Sequence, residues 1–263
     1  MKARWLLLLF WLYSGLCAAT TPPSPPLTVV TEDLPPLNFQ DGDKVSGIAT
    51  EIVQATLQKA GLSAAPRIYP WARAINMAEQ QENVLIYSIA RIPEREARFQ
   101  WIGPLFPYSD SLYKLKRRQD IQLTTLEQAK QYQIGVIRSY AVHEMLKREG
   151  FIDNVHLQLA KDQEQNLRKL FAGKTDLLVG SELDLRWRLQ HNPDLGRYED
   201  LSCALYLEKS FSHVYMAFGP KTHPEMVETV RHAFAQIQAD GTLDQILSKY
   251  HDQEASPTDR PVP

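Results

Sequence analysis

Val84-Leu-Ile-Tyr-Ser-Ile-Ala-Arg-Ile-Pro-Glu-Arg-Glu-Ala-Arg-Phe-Gln-Trp-Ile-Gly-Pro104 is the stretch of this 263-residue chain that decides its fold. The apolar run Val84 to Ile89 gives way abruptly to Arg91, Arg95 and Arg98 and ends on an aromatic residue and a proline. An apolar run bounded by turn residues reads as a buried strand. Whatever follows its end is delivered to the rim of a sheet, where open α/β folds bind ligands. A guanidinium placed there can fork onto a carboxylate. The competing reading makes all three arginines solvated partners of Glu94 and Glu96, since surface ion pairs are common and weak.

The segments before this run supply the rest of a unit. Leu27 to Thr31 reads as a strand. Ile48, Ile52, Val53, Leu57 and Ala60 mark one helical face, which Gly61 terminates. Pro70 suits the first turn of a second helix with the stripe Trp71, Ala74, Ile75 and Ala78. Strand, helix, strand, helix, strand predicts a parallel sheet with helices on both faces.

A second set follows the cluster Lys114-Leu-Lys-Arg-Arg118, itself read as a solvated strand edge. It comprises strands at Gln133 to Ile137, Val155 to Leu159 and Asp176 to Val179, with helices at Ala141 to Glu149 and Gln163 to Ala172. Asp162 with Gln165 forms a variant capping box, and Gly173 closes the same helix. Met226, Val227, Val230, Phe234 and Ile237 line one late helix. After the turn Asp240-Gly241, Leu243, Ile246, Leu247 and Tyr250 line another. Two α/β units of similar size imply two lobes.

Lys2 and Arg4 ahead of an apolar run from Trp5 to Tyr13, then Cys17-Ala-Ala19, read as a cleavable secretory signal over residues 1–19. The run is about half the ~20 apolar residues of a spanning helix. Leu16 before Cys17 disfavours lipidation. The proline-rich leader 20–26 and the tail 251–263 are expected to be disordered. After cleavage one cysteine remains, Cys203, so the fold rests on its core without a disulfide. Without Lys2 and Arg4 the 29 basic side chains fall to 27 against 31 acidic ones, which argues against a nucleic-acid partner. No nucleophile motif, metal-spaced His or Cys set or phosphate loop is present, so neither a cofactor nor a metal is expected.

Pro35-Pro36, Gly47-Ile-Ala-Thr-Glu-Ile52, Ile92-Pro-Glu-Arg95 followed by Trp101, Gly173-Lys-Thr-Asp176 and Ala239-Asp-Gly-Thr-Leu-Asp-Gln-Ile-Leu-Ser-Lys-Tyr250 occur in this order. From Leu27 to Tyr250 the chain resembles the family 3 extracellular solute-binding proteins of the periplasmic polar amino acid type. The resemblance implies the two-lobed, type II periplasmic binding protein-like α/β fold, with a hinge of two strands. Lobe 1 is then 27–105 plus 211–250, lobe 2 is 113–204, and the crossovers are 106–112 and 205–210. Such lobes close on a ligand that touches both.

The resemblance also implies site residues. Arg95 matches the arginine that takes a ligand's carboxylate. Ala90 and Ile92 stand where many members carry serine or threonine, and Ser88, one pleat back, keeps its hydroxyl. Tyr87 points opposite to Ser88, so one of the two faces the cleft. Ser181 stands where an acid often holds an α-ammonium. Glu182 beside it is a substitute, Asp184 lies one turn on, and Ser181 itself suits a helix N-cap. Arg138-Ser-Tyr140 opens a lobe 2 helix: Ser139 can cap it or meet the ligand, Tyr140 can wall the cavity, and Arg138 suits the surface as well. Tyr69-Pro-Trp-Ala-Arg73 resembles a segment of a subset of the family. Trp71 serves equally as core or pocket wall, and Arg73 reaches either cleft or water. Glu32, after the first strand, is a candidate for an amine or hydroxyl.

The expected function is that of a periplasmic, monomeric binding protein, not an enzyme, that hands a small carboxylate-bearing solute to an ABC-type inner-membrane permease. One alternative is a cyclohexadienyl dehydratase-like enzyme with Glu32, Glu182 or His143 as general acid. Another is a signalling module that docks on a membrane sensor.

Overall fold

Val84–Ala90 is a strand buried at every one of its 7 positions, and it lies at the centre of the first of two five-stranded sheets. The computed structural model describes residues 26–207 and 213–254. The signal segment and most of the leader and tail lie outside that range.

In chain order the first part comprises β1 (Thr28–Thr31), β2 (Phe39–Asp41), β3 (Lys44–Ser46), α1 (Ile48–Lys59), β4 (Pro66–Ile68), α2 (Trp71–Gln80), β5 (Val84–Ala90) and β6 (Gln100–Pro107). The middle holds β7 (Ser111–Leu115), β8 (Ile134–Ile137), α3 (Ala141–Arg148), β9 (Leu157–Ala160), α4 (Gln163–Phe171), β10 (Leu177–Gly180), α5 (Glu182–His191) and β11 (Leu201–Tyr206). The chain then returns through β12 (His213–Phe218), α6 (Pro224–Ala239) and α7 (Thr242–Glu254). α7 runs to Glu254, so the expected disorder from 251 onward is corrected for that last turn.

The first sheet has the order β4-β1-β5-β12-β6 and the second β11-β7-β10-β8-β9. β1 pairs in parallel with β4 and β5, as expected from its helical crossovers. The sheet is nevertheless mixed, because the returning β12 inserts antiparallel between β5 and β6. Helices cover both faces of the first sheet: α1 and α6 supply Ile52, Val53, Val230 and Phe234 to one core, and α2 supplies Trp71, Ala74, Ile75 and Ala78 to the other. The second sheet is sandwiched likewise, by Val142 and Leu146 of α3 on one face and by Leu167 and Leu185 of α4 and α5 on the other. We call the two sheet-centred bodies lobe 1 and lobe 2. One link between them is the short segment Tyr108 to Asp110, between β6 and β7; the other runs from β11 to β12.

Local chemistry explains several boundaries. The Asp162 carboxylate accepts the Gln165 N–H at 2.8 Å, so the expected cap of α4 forms, while the Gln165 amide oxygen accepts the Lys161 N–H at 2.9 Å, one residue before the N-cap position that a capping box would use. The strand expected from Val155 starts at Leu157 instead. Asn154, at φ 62°, turns the chain there, and Val155 is 53% exposed. Lys114 does not lie on a sheet edge, since β7 is flanked by β10 and β11. Its ammonium donates to the carbonyls of Arg118 and Ile121, and Arg118 pairs with Asp120 and Asp176.

Candidate functional site

Of the three arginines after β5, only Arg95 is buried, at 3% exposure. Arg91 and Arg98 are surface ion pairs, with Glu96 and Glu79. The difference comes from the short 3-10 turn Pro93–Arg98, which brings Arg95 back beneath the end of β5. There its Nη1 donates to the Ala90 carbonyl at 3.1 Å and its Nη2 to the Ser139 carbonyl of lobe 2 at 2.8 Å. The guanidinium also lies over the Trp71 ring, 5.4 Å from its centroid. Burial pulls the Arg95 pKa down to about 10, with Glu32 partly offsetting the loss of solvent. It remains a cation at neutral pH, and its hydrogen bonds among the described residues go to neutral carbonyls.

Five of the expected residues, Glu32, Trp71, Ser88, Arg95 and Tyr140, line one interlobe cavity together with Tyr108 and Asp110. Ser88 and not Tyr87 faces it. The β5–β12 register slips at Ser88, which adopts φ 59°, while Tyr87 points into the lobe 1 core and bonds Thr50 at 2.9 Å. The Ser88 hydroxyl donates to the Asn38 side chain, whose amide donates to the Glu32 carbonyl at 2.6 Å. This chain of bonds sets the position of Glu32. The Glu32 carboxyl accepts from the Tyr140 hydroxyl across the cleft. Burial raises its pKa to about 8 against the opposing pull of Tyr140.

Ser139 acts differently from the expected cap. It sits at φ 64°, the N-cap of α3 is Tyr140, and no side-chain capping bond forms there. The Ser139 contribution is its backbone: the carbonyl accepts from both Arg95 and Trp71 Nε1, the latter at 3.0 Å, and its N–H donates to His143 Nδ1. Left-handed non-glycine residues on both sides of a cleft are where strain is expected to mark function. Trp71 belongs to the α2 core and also lines the cavity.

Besides Ser139, which does not line the cavity, two expected site residues fall outside it. Glu182 is exposed on the first turn of α5, where Arg186 one turn later donates to it at 2.9 Å. Arg73 lies on the outer face of α2 and covers the Tyr69 ring at 4.7 Å. Arg138 is exposed as well. Ser181 caps α5 by accepting the Asp184 N–H at 3.2 Å. The departures Ala90 and Ile92 pack with Ala141 of α3 in a small apolar contact between the lobes.

The site residues that sequence reading did not select are mostly acids and their partners, Asp184 having been noted only for its place one turn beyond Ser181. Asp110, on the link before β7, and Asp184, on the inner face of α5, line a second cavity that adjoins the first. Burial raises Asp110 to about 7, and burial raises Asp184 to about 6 despite Arg188. Arg188 binds Asp184 at 2.7 Å within α5 and reaches lobe 1, where Asp33 accepts at 2.9 Å through its carboxylate and at 2.7 Å through its carbonyl. Arg148 pairs with Glu94, and Phe39 meets Trp187 at 5.0 Å, so the lobes are closed on each other at several points. The i,i+4 spacing of Asp184 and Arg188 was legible in the sequence; the partnership with Asp33 was not.

The two linked α/β lobes enclose a cleft with a buried arginine and several buried acids at its centre, the concave kind of site in which small molecules bind. The profile of the bacterial extracellular solute-binding proteins, family 3, matches residues 27–253, and the chain belongs to that family. Its fold is similar to a histidine kinase sensor domain with similarity to periplasmic binding proteins, at 18% identity and TM-score 0.74 over 86% of this chain and 96% of that one. It is also similar to ArtJ, the arginine-, lysine-, histidine-binding protein of Geobacillus stearothermophilus, at 17% identity and TM-score 0.72 over 86% and 94%. An ancestral arginine-binding protein bound to arginine gives 19% identity and TM-score 0.71 over 85% and 96%. No curated protein sequence matches. At these identities the structural likeness is one of fold, the type II periplasmic binding protein architecture.

Proposed function

We propose that this protein is a periplasmic solute-binding protein that captures a small carboxylate-bearing polar solute, of the amino acid class, for an ABC-type inner-membrane permease. Family membership supports the solute-binding role, and the signal-like N-terminus supports export. The observation that carries the ligand class is Arg95, a buried guanidinium whose outward Nη2 finds, among the described residues, the Ser139 carbonyl of the opposite lobe as its acceptor. A carboxylate oxygen in place of that carbonyl turns a neutral acceptor into a charged one, and charge-assisted bonds are about twice as strong. Amino acid-binding proteins among the structural neighbours fit the same class.

The test is titration calorimetry of the mature protein with amino acids and small organic acids. Arg95→Ala is expected to abolish binding, and Arg73→Ala to leave it unchanged. Undiminished binding by Arg95→Ala would sink the proposal. A second reading, an enzyme on this scaffold, is favoured by one observation: Glu32 holds its proton up to about pH 8 inside the cleft, as a general acid requires. Turnover of prephenate or arogenate by wild type and its loss in Glu32→Gln would establish that reading instead.

A further inference from the structure

Each acid of the cleft except one already has a partner. Asp184 accepts from Arg188 at 2.7 Å, Glu32 accepts from Tyr140, and Glu182 lies outside, paired with Arg186. Ser181, at the position where an ammonium-binding acid was expected, has its hydroxyl occupied by the α5 N-terminus. Asp110 is the exception. It is 5% exposed, and its side chain accepts no hydrogen bond among the described residues. The charge that acts on it is another carboxylate, Asp184. A buried ionised carboxyl without a donor is strongly unfavourable, so in the closed cleft Asp110 either keeps its proton or meets a cation.

Asp110 also lies where such a cation would be useful. It lines both cavities, sharing one with Arg95 and the other with Asp184. Its place on the link between β6 and β7 keeps it in the cleft floor, between the two lobes. A solute with a carboxylate on Arg95 and an ammonium at the floor neutralises both groups at once.

We propose that Asp110 is the ammonium acceptor of the site, a hinge-borne replacement for the acid that Ser181 does not supply, so that the solute is a zwitterionic amine and not a simple acid. The proposal rests on the solute-binding reading above and adds to it the residue and the amine. Asp110 makes closure depend on the ligand: without a donor, shutting the lobes buries its charge, and with an ammonium between the lobes that penalty disappears.

The experiment is calorimetric titration of the full mature chain with the twenty protein amino acids and, for each that binds, the matching acid lacking its α-amine. Wild type is expected to bind the amino acid at least about tenfold more tightly than the des-amino acid. Asp110→Asn is expected to weaken the amino acid about 10- to 100-fold and to leave the des-amino acid unchanged or tighter. Asp110→Ala serves as the second variant, with thermal melting of both variants confirming a folded state. Arg95→Ala should remove both ligands. If Asp110→Asn binds the amino acid as wild type does, or loses both ligands equally, the inference falls while the solute-binding reading stands. If wild type binds none of the probes, both fall.

Discussion

Arg95 and Arg188 approach the interlobe boundary from opposite sides, and both are buried, at 3% and 5% exposure, yet their surroundings differ in kind. Arg188 of lobe 2 is matched by two carboxylates, Asp184 and Asp33. Burial pulls its pKa down, but those two charges outweigh it and hold the group above its ordinary value. Arg95 of lobe 1 has carbonyl partners, and burial dominates, at about 10. A buried cation that is already neutralised serves the architecture, whereas one that is only solvated by dipoles is prepared for an anion from outside. On the function proposed above, the contrast separates a latch from an anchor within one cleft.

The largest expected effect strikes the latch. Arg188→Met leaves Asp184 buried without its cation and is expected to cost about 3–5 kcal/mol of stability, read by urea unfolding. Adding Asp184→Leu should recover most of it. If the single variant is as stable as wild type, Arg188 and Arg95 are not different in kind. Arg95→Ala should do the reverse, with stability nearly unchanged and ligand affinity reduced by about 2–5 kcal/mol, measured by calorimetry.

Asp33→Asn acts on the lobe 1 half of the latch only. Because that side chain is 48% exposed, the expected effect is about 1 kcal/mol or less, seen as a larger radius of gyration of the ligand-free protein in solution scattering. An unchanged radius would show that the other interlobe contacts suffice for closure.

Acidity offers a fourth way to sharpen the comparison. Glu32 and Asp110, ordinarily at 4.5 and 3.8, rise to about 8 and about 7 when the lobes bury them. Opening returns them to water, so the closed form binds more protons than the open one. Their contribution favours closure fully below about pH 4 and is lost as pH climbs through 7 and 8. Interlobe dye distances measured from pH 5 to pH 9 should therefore lengthen with rising pH in the ligand-free protein, and shortening over that range would contradict the assignment. The smallest effects belong to Glu182→Gln and Arg73→Ala, each expected within about 0.5 kcal/mol in stability and with unchanged affinity.

The two-lobed organisation was readable from periodicity. The stripe Trp71, Ala74, Ile75, Ala78 and the run from Val84 declare their buried faces by spacing alone, because burial of a helix or strand repeats at its own period. Caps such as Asp162 and Ser181 were readable for the same local reason, since a cap joins residues three positions apart. Arg95 was readable through its Pro-Glu-Arg setting. Its separation from Arg91 and Arg98 was not, since a six-residue turn decides which of three similar side chains points inward.

Residues joined across the cleft carried no local signal. Asp33 and Arg188 are 155 positions apart, and Glu32 and Tyr140 are 108 apart. Glu182 and Asp184 look interchangeable along the chain, but two residues of helix turn one to solvent and the other into the cavity. Asp110 was an ordinary polar residue in an extended segment until the two sheets closed over it. Local spacing along the chain thus prescribed the elements and most of their caps, because those depend on neighbours a few residues away. Which acids are neutralised and which await a partner emerged only when the lobes met, because a charge acquires its burial and its counterion from distant parts of the chain.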